Sequence, residues 1–164
     1  MNVKKMTALS VSVAIAMLLS FIESQIPPLV AVPGVKIGLS NVVTVVLLYL
    51  FGPKEAGTVA LIRVSLSALL FGSAVSFIYS LAGAVLSFLV MLLFKSLNIF
   101  SETGVSVLGG VSHNAGQIAV ACIIMENGAI SLYLPPLVIS GTVTGAVIGI
   151  ISALLVKRLK TVIK

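Results

Sequence analysis

Residues 64–94, which read VSLSALLFGSAVSFIYSLAGAVLSFLVMLLF, give the strongest indication of the fold. This stretch contains no charged residue over 31 positions. A single helix of that length would extend about 46 Å, whereas the hydrocarbon core of a bilayer is about 30 Å thick. The stretch therefore has to turn back, and the pair Gly72-Ser73 is the natural break. It predicts the end of one membrane-spanning helix and the whole of the next.

The composition of the whole chain supports a membrane protein. Of its 164 residues, 59% are hydrophobic and 9% are charged, and the mean hydropathy is +1.27. A soluble domain is typically about 45–50% apolar and about 25% charged, so this chain lacks the polar surface that a water-soluble globule needs. We predict an all-α integral membrane protein that forms a single domain over residues 1–164.

Apolar runs of spanning length recur along the chain and predict six transmembrane helices. A proline-rich connector at residues 26–34 separates the first two runs, because its prolines forbid a continuous helix. The pair Pro135-Pro136 opens the last run, where proline suits a helix N-terminus. The predicted spans cover about residues 6–24, 37–52, 56–72, 74–94, 103–125 and 136–156.

The basic residues indicate how these helices are oriented, because cytoplasmic loops carry an excess of lysine and arginine. With six spans and a cytoplasmic N-terminus, eight of the ten basic residues fall on the cytoplasmic side, while Lys36 lies in an outer loop and Arg63 inside a span. The net charge of +6 thus reflects topology rather than a nucleic-acid partner. We expect a multi-pass protein of a bacterial plasma membrane with both termini in the cytoplasm. The eight residues are Lys4, Lys5, Lys54, Lys95, Lys157, Arg158, Lys160 and Lys164.

The ionisable residues exclude several classes of chemistry. One cysteine, Cys122, and one histidine, His113, cannot form a disulfide framework or a His/Cys metal cage. The chain has four glutamates but no aspartate, so it lacks the aspartate cluster that holds Mg²⁺ on phosphates, and it has no glycine-rich nucleotide loop. We expect no metal and no cofactor, and any ATP-driven work would need an ATPase partner.

Small residues recur every four positions in two of the predicted helices. In lipid, such spacing lets helix backbones approach closely. In the sixth helix we expect packing within the protein. In the first helix, packing within the protein and docking of a partner protein stay open as alternatives. The two series are Gly141, Gly145, Gly149 and Ala153 in the sixth helix and Ala8, Ser12 and Ala16 in the first.

Polar residues inside the predicted spans are candidates for a binding site. Arg63 lies about 10–12 Å along the third span and His113 about 15 Å along the fifth, so the two side chains are expected at similar depth. Asn114 and Gln117 accompany His113, and positions 113 and 117 share a helical face. An ionisable group in hydrocarbon costs at least about 2.5–3.5 kcal/mol. These four residues either bind a ligand or tie helices together by hydrogen bonds, and we favour the ligand site.

The outer end of the second span adds Lys36, Ser40 and Asn41 as candidate ligand contacts. They follow Pro33-Gly34, which directs a helix N-terminus toward the outer side. A helix N-terminus beside a lysine suits an anion, although Lys36 would serve equally well as an interfacial anchor. Glu23, at the outer end of the first span, would either gate the same cavity or face water.

Two segments resemble a known family: residues 33–41, PGVKIGLSN, and residues 104–117, GVSVLGGVSHNAGQ. They resemble the heptaprenyl diphosphate synthase component I family, also called the Gx transporter family. That family is similar to the substrate-binding (S) components of energy-coupling factor transporters. The resemblance implies a six-helix protein that captures a vitamin-like substrate, with a transmembrane coupling subunit and two ATPases as partners. It also implies that Ala8, Ser12 and Ala16 match an Ala-x-x-x-Ala pattern that docks the coupling subunit, with serine in place of one alanine.

The functional prediction is a substrate-binding membrane component of such a transporter. Its ligand would be small, and either anionic or a precursor of isoprenoids or quinones, held in an outward-facing cavity within the membrane. The alternative is a non-catalytic membrane subunit of a prenyl diphosphate synthase, because chain-lengthening synthases bind Mg²⁺–diphosphate through aspartate-rich motifs and this chain has no aspartate. A proton-coupled carrier that uses His113 is less favoured, since the sequence shows no inverted repeat.

Overall fold

A computed structural model describes residues 3–26 and 38–163, and these residues are helical apart from short turns. No strand occurs within those two ranges. The described residues fold into six α-helices, with a 3₁₀ helix at Gly128–Tyr133 that leads into the last of them. The helices are α1 Val3–Ser24, α2 Asn41–Leu50, α3 Pro53–Phe71, α4 Ala74–Leu97, α5 Glu102–Ile124 and α6 Leu134–Ile163.

In the part of the chain that the structure describes, four helical segments are long and apolar enough to cross a membrane, which makes the chain an integral membrane protein. They are Val3–Ser24, Ala74–Leu97, Glu102–Ile124 and Gly128–Thr161, the last of which joins the 3₁₀ helix to most of α6. The predicted number of helices, six, is confirmed. Only four helical segments among the described residues meet the length and hydropathy of a membrane span. The orientation of the bundle in the membrane stays a prediction.

The two helices that fall short do so for different reasons. Helix α2 has only 10 residues, so it rises about 15 Å, half the thickness of the hydrocarbon core. Within the predicted span at 37–52 the helix covers Asn41–Leu50, and the span itself stays a prediction. Helix α3 has 19 residues, but Lys54, Glu55 and Arg63 lower its hydropathy.

Turn residues end the helices where the sequence predicts breaks. Gly72 and Ser73 separate α3 from α4, and the Ser73 hydroxyl accepts a hydrogen bond from the Ser76 N–H at 3.2 Å, which caps α4. Gly52 has a φ of +104°, a conformation that favours glycine, and Pro53 follows as the first residue of α3. The fold-back of the charge-free stretch at Gly72-Ser73 is confirmed.

Helix α2 lies at the centre of the bundle despite its short length. Its residues from Asn41 to Leu48 are all buried, and Leu48 is completely inaccessible. Ser152 of α6 donates a hydrogen bond to the Val42 carbonyl at 3.4 Å. At the other end, Lys95 of α4 donates to the Leu48 carbonyl at 2.5 Å, a group that the helix end leaves without an intrahelical partner. The apolar α2 thus becomes the core around which longer helices pack.

Glycines set the contact between α5 and α6. A Cβ atom on Gly145 would lie 2.8 Å from the Val107 Cα, and one on Gly149 would lie 2.6 Å from the Thr103 Cα. A Cβ atom on Gly141 would lie 2.9 Å from the Gly110 carbonyl oxygen. These distances are too short for any side chain, so the two backbones touch directly along this series. Ala153, which continues the series, is half-buried.

Helix α5 packs equally closely against α4 on its other side. A Cβ atom on Gly116 would lie 2.9 Å from the Ala82 carbonyl oxygen. One on Gly109 would lie 2.8 Å from the Met91 sulfur. Because Gly109 faces α4 and its neighbour Gly110 faces α6, α5 is held between two helices at near-backbone distance. That position makes its polar residues interior ones.

Helix α1 turns its small residues toward the bundle and a stripe of large apolar residues away from it. Ala16 is buried, and Ala8 and Ser12 are half-buried. The Ser12 hydroxyl donates to the Ala8 carbonyl at 2.8 Å within the same helix. This arrangement favours the alternative that Ala16 packs within the protein, while docking of a partner on this face stays a prediction. The outward stripe consists of Val11, Ile15, Leu18 and Ile22.

Candidate ligand-binding site

Polar side chains from four parts of the chain are buried together inside this apolar bundle. Each keeps at most 8% of its surface exposed, and Gln117 and Ser40 keep none. Burying polar and charged groups in a membrane protein is costly unless they find partners or serve a function. We call these residues the polar cluster. Its members are Glu23, Ser40, Asn41, Arg63, His113, Asn114 and Gln117.

Arg63 is joined to the start of α2. Its Nη1 donates to the Ser40 hydroxyl at 2.5 Å, and its Nη2 donates to the Asn41 side-chain oxygen at 3.5 Å. Helices α2 and α3 are separated only by Phe51 and Gly52, so they run back along each other and bring the middle of α3 to the first residues of α2. The Nε of Arg63 has no hydrogen-bond partner among the described residues.

Glu23 lies inside the protein rather than in water. Its carboxylate accepts a hydrogen bond from the Gly38 N–H and interacts electrostatically with Arg63. The alternative that Glu23 faces water is therefore wrong. The spacing of Ala16, Ser20 and Glu23, which places all three on one buried helical face, is the sequence signal that could have shown this.

Gly38 brings several members of the polar cluster together. Its φ is +86°, which favours glycine, and a Cβ atom there would lie 2.8 Å from the Asn41 side-chain nitrogen and 3.8 Å from the His113 ring. The ring of His113 also lies against Gly83 of α4, where a Cβ atom would be 3.0 Å from its Cε1. Histidine on α5 and arginine on α3 thus meet the same segment, residues 38–41.

Asn114 and Gln117 point to different neighbours. The Asn114 side-chain nitrogen donates to the Leu137 carbonyl of α6 at 2.8 Å, which ties α5 to α6, while its oxygen has no partner in the described part of the chain. Gln117 packs against Gly83 of α4, and neither its amide oxygen nor its amide nitrogen is hydrogen-bonded to a described residue. A buried amide with both atoms unbonded is rare in proteins.

Of the seven residues that the sequence selects as ligand contacts, six are described, and all six are buried. Arg63 is hydrogen-bonded to Ser40 and Asn41, and the His113 ring lies near Gly38, whereas Asn114 contacts α6 and Gln117 contacts α4. The seventh, Lys36, lies outside the described residues, as does Pro33-Gly34. Glu23 is the member of the polar cluster that the sequence left undecided. Among the described residues, no group of three or more His, Cys, Asp or Glu side chains could hold a metal ion.

The fold and the polar cluster define a class: an all-helical integral membrane protein with a buried polar site. A family model described as heptaprenyl diphosphate synthase component I matches residues 12–155. The chain belongs to this family, as the resemblance of residues 33–41 and 104–117 predicts. No curated protein and no solved structure matches the chain.

Proposed function

We propose that this protein is the substrate-binding membrane component of an energy-coupling factor type transporter. The observation that carries the proposal is the polar cluster, in which Glu23, Arg63 and His113 from three different helices converge on residues 38–41. A scaffold of this composition needs no charged residue in its interior, so the burial of a guanidinium and a carboxylate favours a functional site.

The polar cluster is suited to binding a substrate rather than to catalysing a reaction. Its described members offer hydrogen-bond donors and acceptors but no metal cluster. The sequence also has no nucleotide-binding loop, so transport would require ATPases on other chains together with a transmembrane coupling subunit. On α1, the half-buried Ala8 and Ser12 are the proposed contacts for that subunit, and the buried Ala16 would contribute by letting α1 pack close to the bundle.

The second candidate function is a non-catalytic membrane subunit of a prenyl diphosphate synthase. The description of the family as component I of heptaprenyl diphosphate synthase favours it. The absence of aspartate from the sequence argues against a catalytic role, because aspartate-rich motifs hold the Mg²⁺–diphosphate in chain-lengthening synthases. The partner would then be a soluble aspartate-rich protein.

Purification from native membranes under mild detergent tests both functions. Recovery of two ATPases and a coupling protein supports the transporter component, whereas recovery of a soluble aspartate-rich synthase supports the alternative. A second arm extracts small molecules from the purified protein and identifies them by mass spectrometry. We expect a compound that is enriched with the wild type, and retained by the Ser65→Ala control on the exposed face of α3, but lost with Asn41→Ala. Failure to enrich any compound would contradict a substrate-binding role.

A further inference from the structure

Among the described residues, the polar cluster contains one carboxylate, Glu23, and one guanidinium, Arg63, and the two interact electrostatically. Arg63 also donates to Ser40 and Asn41. Its positive charge is therefore already offset inside the protein. A phosphate or diphosphate group would bring two or more negative charges next to Glu23, and like charges repel strongly in a low-dielectric interior.

Besides the Nε of Arg63, several neutral side chains keep buried polar atoms without a hydrogen bond among the described residues. Gln117 is fully buried, and its side-chain amide has a free donor and a free acceptor among the described residues. One turn away on α5, the Asn114 oxygen is another free acceptor. On α4, Ser80 is buried with its hydroxyl unbonded, one turn before the Gly83 that packs on Gln117. Buried polar atoms are almost always paired in proteins, so a partner in another state is the expected explanation.

A side-chain amide presents one N–H donor beside one C=O acceptor. Its complement is an edge with the same two groups in reverse order, as in a lactam or a carboxamide. Such an edge forms two hydrogen bonds with Gln117 and carries no charge, so it leaves the balance between Glu23 and Arg63 undisturbed. Glycine at position 83 contributes by leaving room for Gln117, since a Cβ atom there would lie 2.9 Å from the Gln117 Cγ.

We propose that the site takes an uncharged ligand with adjacent N–H and C=O groups, and that Gln117 is the residue that recognises this edge. The proposal rests on the substrate-binding function proposed above and narrows it. It departs from the sequence-based expectation of an anionic ligand, because that expectation did not include a buried Glu23.

The test uses the purified full-length protein and a matched pair of fragments, 2-piperidone and N-methyl-2-piperidone, which differ by the single N–H. Saturation-transfer NMR measures the binding of each. We expect 2-piperidone to bind, with the methylated compound and inorganic pyrophosphate at least about tenfold weaker, because a site built to hydrogen-bond a group rejects an analogue that lacks it. Gln117→Met, which keeps the length of the side chain but removes both polar atoms, should abolish the preference, and Ser65→Ala should retain it.

Three outcomes would overturn the proposal. If Gln117→Met keeps the preference for 2-piperidone, Gln117 does not recognise the edge. If the two fragments bind equally or neither binds, the amide is satisfied by water or stays unpaired. If the compound extracted from the native protein carries a phosphate or carboxylate, the ligand class is wrong while the substrate-binding function stands. If no compound is enriched and no fragment binds, the results contradict both the substrate-binding function and the recognition of an uncharged edge by Gln117.

Discussion

The Nη1 of Arg63 lies 2.5 Å from the hydroxyl oxygen of Ser40, so the middle of α3 is hydrogen-bonded to the residue just before α2. The sequence selects both residues as ligand contacts, and the structure makes them partners of each other. With Glu23 in electrostatic range of the same guanidinium, Arg63 helps to hold α1, α2 and α3 together. Its role in binding and its role in folding are therefore coupled.

Charge balance within the polar cluster predicts a specific pattern in double mutants. Arg63→Gln should lower the free energy of unfolding by about 2–3 kcal/mol, because it removes hydrogen bonds to a charged group and leaves Glu23 buried without its cation. Glu23→Gln should also destabilise the protein. The double variant should be more stable than the sum of the single losses predicts, by about 1 kcal/mol. Thermal unfolding in detergent measures all three, and strict additivity would show that Glu23 and Arg63 act independently.

The close contact between α5 and α6 predicts which glycines tolerate a methyl group. Gly145→Ala and Gly149→Ala should each destabilise the protein by about 1–3 kcal/mol, because the new Cβ would collide with the α5 backbone. Gly128→Ala is the matched control, since a Cβ atom there has no neighbour within 4 Å. Thermal unfolding of the three variants measures these differences in stability. An unchanged melting temperature for Gly145→Ala would mean that the two helices separate readily.

An ion pair between α1 and α3 predicts a dependence on pH. Lys5 donates a hydrogen bond to Glu55 and holds the pKa of that carboxyl below its ordinary value of 4.5. A lowered pKa in the folded state means that the pair stabilises the protein above the unfolded pKa, and that this contribution disappears as the pH falls through the folded value. Glu55→Gln should therefore be less stable than the wild type at pH 7, and the difference should shrink as the pH falls below 4.5. Glu126→Gln serves as the control, and a difference between Glu55→Gln and wild type that does not shrink on acidification would contradict the assignment.

The orientation of the bundle predicts the result of thiol labelling in intact cells. With Cys122 replaced, Ile99→Cys in the α4–α5 turn should be protected from a membrane-impermeant reagent, because that turn is expected on the cytoplasmic side. Gly128→Cys, at the other end of α5, should be labelled. Both positions are exposed in the structure, so accessibility within the protein does not limit the reaction. The reverse pattern would place the N-terminus outside.

The class of the protein and most of its helices could be predicted from hydropathy and segment length. Residues 64–94 require a turn within a charge-free stretch longer than a bilayer is thick, and α3 and α4 do meet at Gly72-Ser73. This prediction succeeds because it depends on hydropathy and length, which are local properties. The selection of Arg63, His113 and Gln117 as interior groups depends on the same logic, since the cost of exposing them to lipid is a property of each side chain.

Which buried polar groups contact one another depends on the packing of the helices. The spacing of Ala16, Ser20 and Glu23 could have indicated a buried carboxylate, but nothing local in the sequence shows that Glu23 accepts from the Gly38 N–H, or that α2 has only 10 residues. Both facts depend on how the helices pack, and in lipid that packing is decided by small residues and polar contacts between helices. Glycines 83, 109, 110, 116, 141, 145 and 149 bring α4, α5 and α6 to near-backbone distance. That proximity leaves the amide of Gln117 buried without a hydrogen-bond partner among the described residues, because contacts distant in sequence determine which polar atoms can meet.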